Sequence, residues 1–137
     1  MLLSPQGEAQ PPLPPTTEGY VGWRELYTVD WKSAFDFYAG TFGWQKGEAM
    51  DMGPMGVYQL FTVDGEQTGG MMNKPAEIGH AMWLFYFNVG DIDAAAGRVG
   101  DGGGHVLNGP MEVPGGGWIV QCVDPQGAMF ALVGRRI

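Results

Sequence analysis

The stretch that decides the fold is Thr28-Val-Asp-Trp-Lys-Ser-Ala-Phe-Asp-Phe-Tyr-Ala-Gly-Thr-Phe-Gly-Trp44. It predicts the end of a strand, a helix over about 31–41 and the entry to a second strand. Asp30 is a good N-cap, because its carboxylate can accept a hydrogen bond from a backbone N–H of the first helical turn. Spacing at i, i+3, i+4 and i+7 predicts one buried helix face. That face consists of Ala34, Phe37, Tyr38 and Thr41.

A second, weaker copy of the same pattern follows in Phe87-Asn-Val-Gly-Asp-Ile-Asp-Ala-Ala-Ala-Gly-Arg-Val99. Its aspartate, Asp91, lies 61 residues after Asp30 (91 − 30), and self-similarity at a fixed offset indicates a repeated unit. Each copy is followed by apolar runs that predict three more strands. The chain therefore predicts βαβββ twice, which is an α+β fold rather than a doubly wound one.

The predicted boundaries follow the composition. Residues 1–19 contain five of the ten prolines between Pro5 and Pro15 with little apolar content, which predicts a flexible N-terminal arm. Residues 20–137 form a single domain, with module one at 20–73, a linker at 74–80 and module two at 81–134. The predicted strands are 20–29, 44–52, 56–63, 67–73, 81–89, 105–108, 112–114 leading into 118–123, and 128–134, with a second helix at 92–99.

Charge and cysteine content limit the partners. Fifteen Asp and Glu against seven Lys and Arg give a net charge of −8, which argues against nucleic acid. An acidic surface can attract a cationic ligand or serve solubility alone. Cys122 is the only cysteine, so no disulfide forms within the chain. No apolar run reaches the ~20 residues of a membrane helix and no signal-peptide pattern is present, so we expect a cytoplasmic protein without a membrane partner.

Several of these residues together resemble a known superfamily. They are Asp30, Phe37-Tyr38, Phe42-Gly43-Trp44, Asp91 and Asp124-Pro-Gln-Gly-Ala-Met-Phe130. The pattern resembles the vicinal oxygen chelate superfamily, which contains glyoxalase I, bleomycin-resistance proteins, fosfomycin-resistance proteins and extradiol dioxygenases. The first strand, with Trp23, Glu25, Leu26 and Thr28, is similar to a branch of small glyoxalase-like proteins.

The resemblance implies two βαβββ modules that form a curved, half-barrel mixed sheet around a cleft, often with a metal on the concave face. It does not imply a reaction, because one fold supports many chemistries. It also implies a homodimer, because modules of this fold often pair between chains and a half-barrel leaves sheet edges that a two-fold partner can cover.

The metal positions that the resemblance implies carry no ligands here. Counting from the helix aspartates and from the Asp-Pro-x-Gly phrase places these positions at Trp23, Leu84 and Ala131, with a fourth near Gly70 and Met71. None of these side chains offers the oxygen or nitrogen that a catalytic divalent metal needs from about three protein ligands. We therefore expect no metal or other cofactor.

Glu25 is the candidate catalytic residue, because strand alternation places it on the same face as Trp23 and Tyr27. On a concave face its pKa would be raised, and it could act as a general base or anchor a cation. Alternatively, Glu25 is a structural carboxylate bonded to Arg24 or to backbone amides. The candidate ligand-binding residues are Trp23, Glu25, Tyr27, Tyr58, Trp83, Tyr86, His105 and Trp118.

Each of the other candidates has an alternative role. The aromatic rings could stack on a flat or cationic ligand or belong to the core. His105 could reach the mouth of the cleft or be a strand-edge residue.

Three functions follow from these residues. The first is a metal-free binding protein of the drug-resistance kind, which holds a small organic ligand, cationic or aromatic, in an acidic aromatic cleft. The second is a glyoxalase-like lyase or isomerase with Glu25 as the base. It would be a metal-dependent enzyme if the true metal positions differ from those that the residue count gives. In the third, side chains fill the cleft and the domain is an oligomerisation or regulatory module. Whether the protein is an enzyme stays open.

Overall fold

The computed structural model describes residues 13–137, which fold as βαβββ twice. The first module contains β1 (Val21–Thr28), α1 (Trp31–Phe42), β2 (Gln45–Asp51), β3 (Val57–Val63) and β4 (Glu66–Asn73). The second contains β5 (Met82–Asp91), α2 (Ile92–Asp101), β6 (His105–Glu112), β7 (Trp118–Val123) and β8 (Met129–Arg135). The predicted α+β fold with two βαβββ modules is confirmed. The difference lies in module two, where the predicted strand 105–108 extends to Glu112 as β6, and residues 113–117 form the turn before β7 instead of a strand.

These eight strands form one mixed, curved sheet in the order β2-β3-β4-β1-β5-β8-β7-β6. The first strands of the two modules, β1 and β5, pair antiparallel at its centre. Each pairs in parallel with the last strand of its own module, β4 or β8. The two modules therefore join within one chain, and β2 and β6 are the open edges of the sheet.

Helices α1 and α2 lie on one face of the sheet and begin at the predicted caps. The Asp30 carboxylate accepts a hydrogen bond from the backbone N–H of Lys32 at 3.2 Å, and the Asp91 carboxylate accepts one from the N–H of Ala94 at 3.0 Å. The helix starts are thus equivalent points of the two modules, which confirms the repeat that the spacing of the aspartates predicts.

The buried face of α1 differs from the predicted one by a rotation about the helix axis. Trp31 and Phe35 are its buried residues, and they pack with Leu26, Phe61 and Met71 of the sheet. Of the predicted face, Ala34 and Tyr38 are half-buried, whereas Phe37 is 64% exposed and Thr41 is also exposed. The prediction was wrong for these two, because Trp31, directly after the cap, turns towards the sheet and sets the helix rotation.

Residues 13–19, at the end of the predicted arm, contact the sheet through Asn88 of β5. The Asn88 amide donates to the carbonyl oxygens of Pro15 at 2.6 Å and Thr17 at 3.1 Å, and its backbone carbonyl accepts from the N–H of Gly19 at 2.9 Å. The rest of the predicted arm, 1–12, lies outside the described residues. Over 13–137, no helix is long and apolar enough to cross a lipid bilayer.

The sheet face opposite the helices, here called the concave face, carries its own core. Its buried apolar residues are Tyr27, Met72, Leu84, Tyr86 and Ala131. Leu84 and Ala131 are 0% exposed although α1 and α2 lie on the other face, so neighbouring side chains of the concave face must cover them. The concave face is therefore filled by side chains at its centre, where the candidate site lies.

Candidate functional site

Glu25 lies on the concave face and is 7% exposed. The two sides of β1 are distinguished by their packing, because Leu26 belongs to the core beneath α1 and Tyr27 to the core of the concave face. Alternation then places Trp23, Glu25 and Tyr27 together on the concave face. The strand thus carries a buried carboxylate into an aromatic core.

Tyrosine hydroxyls surround this carboxylate. The hydroxyls of Tyr86 and Tyr27 both donate to Oε2 of Glu25, the latter at 3.1 Å, and the hydroxyl of Tyr58 lies near enough to lower the Glu25 pKa to a smaller extent. The indole Nε1–H of Trp23 donates to the Tyr58 hydroxyl at 2.9 Å. We call these four side chains and Glu25 the Glu25 cluster.

No cation neutralises Glu25 in the part of the chain that the structure describes. Arg24, the partner that the sequence offered, donates instead to the backbone oxygens of Thr68 at 3.4 Å and Val21 at 3.3 Å. Over the same residues the ion pair is Arg136–Asp93, remote from Glu25 in the sheet. The carboxylate is thus hydrogen-bonded but carries no counter-charge from residues 13–137.

Burial is the largest influence on the titration of the cluster. It raises the pKa of Glu25 above its ordinary value, while the hydrogen bonds from Tyr86, Tyr27 and Tyr58 act in the opposite direction. Burial and the nearby Glu25 charge raise the pKa of all three tyrosines. The tyrosines are therefore neutral donors at physiological pH.

Gln121 of β7 contacts the Glu25 cluster and was not among the residues predicted from the sequence. Its amide Nε2 donates to the hydroxyls of Tyr27 at 3.0 Å and Tyr86 at 2.9 Å, and its Oε1 accepts from Nδ2 of Asn108 on β6 at 3.4 Å. A signal was present in the sequence, because Gln121 is the one amide side chain in the apolar run Trp118-Ile-Val-Gln-Cys-Val123.

Gly70 on β4 makes room for the Tyr58 ring. Gly70 pairs with Glu25 of β1, and a Cβ atom built on it would lie 1.9 Å from Cε2 of Tyr58. No side chain fits at this distance, so Tyr58 can lie against β4 and reach Glu25 only above a glycine.

The remaining predicted site residues lie elsewhere. Trp83 belongs to the helix side, where its Nε1–H donates to the Tyr38 hydroxyl at 3.1 Å and its ring meets Trp44 edge-on at 5.9 Å. Trp118 packs beside the core under α2, with the Arg136 guanidinium 3.9 Å from its ring centroid. His105 is exposed at the start of the edge strand β6. The structure thus brings together Trp23, Glu25, Tyr27, Tyr58 and Tyr86.

The concave face does not offer the ligands that a divalent metal needs. Glu25 pairs with Gly70 and Leu84, and Tyr86 pairs with Ala131, so three of the implied metal positions surround Glu25 with side chains that cannot coordinate. Residues 13–137 contain no group of three or more His, Cys, Asp or Glu side chains close enough to hold a metal ion. One carboxylate without further donors does not fit a catalytic metal, and a metal-free protein stays our prediction.

An open groove adjoins the cluster at the Tyr27 end. It has a volume of about 410 Å³ and is lined by Pro54, Met55, Gly56, Met72, Asn73, Lys74 and Pro75. Met72 pairs with Tyr27 across the sheet, so the groove and the cluster share a wall.

The side chains around Glu25 differ in burial. Trp23, Tyr58 and Gln121 are half-buried, whereas Glu25, Tyr27 and Tyr86 are buried.

Comparisons with known proteins agree with this architecture. The family model of the Glyoxalase/Bleomycin resistance protein/Dioxygenase superfamily matches residues 20–132. The structure of a Streptomyces coelicolor methylmalonyl-CoA epimerase variant in complex with 2-nitronate-propionyl-CoA superposes with a TM-score of 0.65 at 20% identity, covering 87% of this chain and 96% of that one. At that identity the likeness shows the fold alone.

Two proteins named for a biosynthetic pathway are more similar in sequence. Anthracycline biosynthesis protein DauV of Streptomyces sp. (strain C5) and anthracycline biosynthesis protein DnrV of Streptomyces peucetius are each 34% identical over 128 residues, covering 83% of this chain and 46% of the relative. The chain thus spans about half the length of the curated relatives that it matches. The family model, which matches most of the chain, decides the assignment: this protein belongs to the glyoxalase/bleomycin resistance protein/dioxygenase superfamily.

Proposed function

We propose that this domain binds a small organic cation on its concave face, without a metal. Glu25 is the anchoring charge, and Trp23 and Tyr58 supply the aromatic surface. The observation that carries the proposal is a carboxylate that is 7% exposed and has, among residues 13–137, hydroxyl partners but no Lys, Arg or His partner.

The buried charge of Glu25 favours a cationic partner. An ionised carboxylate away from water is costly unless a counter-charge is near, and tyrosine hydroxyls carry none. A cationic ligand would supply the missing charge. It would also gain about 0.5–2 kcal/mol from each aromatic face that it contacts, and the protein's net charge of −8 would attract it from a distance.

Entry requires side chains to move, because the centre of the concave face is filled. Trp23 and Tyr58 are the half-buried aromatic members of the cluster, and a single hydrogen bond joins them. We propose that the ligand replaces this bond, with the adjoining groove at Met72 receiving the rest of the molecule. Side-chain rotations of this kind are common on binding.

The named relatives suggest a probe. Both are anthracycline biosynthesis proteins, and an anthracycline is a flat aromatic molecule that carries a protonated amino sugar, whereas its aglycone is uncharged. The two compounds therefore share one aromatic system and differ in the sugar with its positive charge. This chain spans about half of each relative, so what their names say does not carry over to it. Anthracycline binding is therefore part of the proposal.

Titration calorimetry of both compounds tests the proposal. We expect the wild type to bind the cationic anthracycline at least about tenfold more tightly than the aglycone, corresponding to ~1.4 kcal/mol. Glu25→Gln should remove this preference, because it keeps the size of the side chain but not its charge. The matched control is Glu66→Gln, which removes an exposed carboxylate on β4 and should keep the preference. Equal preference in wild type and Glu25→Gln would overturn the proposal.

A lyase or isomerase that uses Glu25 as its general base is the second candidate. The raised pKa of Glu25 favours it, since a base is most effective when its pKa approaches the working pH. Turnover of a glyoxalase-type substrate that is lost in Glu25→Gln and retained in Glu66→Gln would support the enzyme over the binding protein.

A further inference from the structure

We infer that Gln121 is a positioning residue that directs the hydroxyls of Tyr27 and Tyr86 towards Glu25 and so favours the ionised form of this carboxyl. The inference builds on the proposed role of Glu25 as the charge that a cationic ligand meets. Its test uses the ligand-free protein, so the two proposals can fail separately.

The hydrogens of the Gln121 amide set the direction of the hydrogen bonds around Glu25. The amide nitrogen carries two, and the hydroxyls of Tyr27 and Tyr86 accept them at 3.0 and 2.9 Å. A tyrosine hydroxyl has one proton of its own. Because each of these oxygens already accepts from Gln121, its own proton is free to be donated to Glu25, as observed for both.

The hydrogen bond on the Trp23 side of the cluster also points towards Glu25. An indole nitrogen can only donate, so the bond between Trp23 and Tyr58 requires the Tyr58 oxygen to accept, and its proton is then available to Glu25. The hydrogen bonds of Tyr27 and Tyr86 are thus donated to the carboxylate, and the nearby Tyr58 hydroxyl acts on the Glu25 pKa in the same direction. Both observed bonds end on Oε2 of Glu25, and hydrogen bonds donated to a carboxylate stabilise its charged form more than its neutral form.

Asn108 fixes the orientation of the Gln121 amide from outside. Its Nδ2 donates to Oε1 of Gln121 at 3.4 Å, which turns the Gln121 nitrogen towards the tyrosines. The distance is at the long end for a hydrogen bond, so Asn108 makes the smaller contribution. Donors are thus aligned from the exposed edge strand β6 through Gln121 and the tyrosines to Glu25.

Within residues 13–137, the titratable side chains that face Glu25 are tyrosines. Tyr27 lies on its own strand, Tyr86 on β5 and Tyr58 on β3, while β4 contributes Gly70 and β7 contributes Gln121, which do not titrate. Because the three tyrosines stay protonated well above neutral pH, a titration of this cluster between about pH 4 and 9 belongs to Glu25.

The experiment follows the side-chain carboxyl ¹³C shift of Glu25 against pH in the wild type, Gln121→Met and Gln67→Met. Met is close to Gln in length but donates no hydrogen bond, and Gln67 is exposed on β4, which makes its variant the matched control. We expect Gln121→Met to raise the midpoint by about one pH unit, a tenfold fall in the ionised-to-neutral ratio at a given pH. Gln67→Met should leave it unchanged.

Gln121→Leu is the second variant and covers the case in which Gln121→Met folds poorly. Leu has a similar volume, donates no hydrogen bond and adds no charge, so the midpoint should again rise. A residue that merely fills space would change stability without moving this midpoint. Midpoints in both variants that equal the wild-type value would overturn the inference. A shifted midpoint together with absent cation binding would overturn only the proposed function.

Discussion

Replacing Glu25 by Gln should make the ligand-free protein more stable at neutral pH. In the wild type the carboxylate is 7% exposed and lacks a counter-charge from residues 13–137, and its desolvation is not fully offset by the nearby tyrosine hydroxyls. Gln has nearly the same shape, and its carbonyl oxygen can still accept from the tyrosines. The substitution therefore removes the cost of the charge and keeps the packing.

The magnitude follows from two considerations. Replacing buried ionic groups by neutral groups of similar size is often stabilising by about 1–4 kcal/mol, and the hydroxyl donors here place the expectation at the lower end, about 1–2 kcal/mol. For a domain of 137 residues, each kcal/mol shifts the melting temperature by roughly 3–5 °C. The melting temperature of the variant should thus rise by several degrees at neutral pH.

The pH dependence has a definite sign. Because the pKa of Glu25 is raised on folding from its ordinary value of 4.5, the folded protein binds more protons than the unfolded chain between that value and the folded-state pKa. Wild-type stability should therefore fall as the pH rises through this window, by about 1.4 kcal/mol for each unit of the shift. Glu25→Gln lacks this decrease. Its free energy of unfolding should therefore exceed that of the wild type by little at the acid end of the window and by most above the folded-state pKa of Glu25.

Urea unfolding followed by tryptophan fluorescence at several pH values between about 4.5 and 8 measures this difference directly. Glu66→Gln, which removes an exposed carboxylate, should give a small difference with little pH dependence. A Glu25→Gln variant that is less stable than the wild type at neutral pH, or whose advantage does not grow with pH, would refute the reasoning about the uncompensated charge.

The remaining predictions concern the support of Tyr58, the oligomeric state and the metal. Gly70→Ala should displace the Tyr58 ring, lower the free energy of unfolding by about 1–3 kcal/mol and change the Trp23 emission. The control, Gly40→Ala, lies in open space on α1 and should stabilise the protein slightly. An equal effect of the two substitutions would contradict this role of Gly70. We propose a homodimer in which Phe37 and Phe42, 64% and 61% exposed, contact a second copy. Light scattering should then find a dimer for the wild type and a monomer when Phe37 and Phe42 are both changed to Ser. A monomeric wild type would contradict this proposal. Elemental analysis of the purified protein should find less than about a tenth of an equivalent of Zn, Ni, Mn or Fe, whereas one equivalent would contradict the metal-free proposal.

The sequence predicted much of the fold because its signals are local. The two capping aspartates give the repeat and its spacing, and alternation along β1 places Trp23, Glu25 and Tyr27 on one face. The rotation of α1 was not predictable in the same way, since Trp31 and Phe37 are both apolar and only contact with the sheet decides which of them is buried.

The rest of the site depends on strand order. Gln121 lies 94 residues from Tyr27, and the two meet because β5 and β8 stand between their strands in a curved sheet. Trp83 and Tyr86 lie on the same apolar strand without clear alternation, so sequence alone could not assign one to the helix side and the other to the concave face. The sequence therefore predicted Tyr58 and Tyr86 as candidates and the facing residues of β1, but it could not predict the contacts between strands or the part that Gln121 plays in them.

A crystal structure of the protein with the cationic anthracycline tests the central claim most directly. We expect the ligand on the concave face, with Trp23 and Tyr58 turned apart, their hydrogen bond broken, and the cationic nitrogen within about 5 Å of the Glu25 carboxylate, where an opposite charge still interacts strongly. A ligand bound elsewhere, with the Trp23–Tyr58 bond intact and no positive charge near Glu25, would contradict the claim.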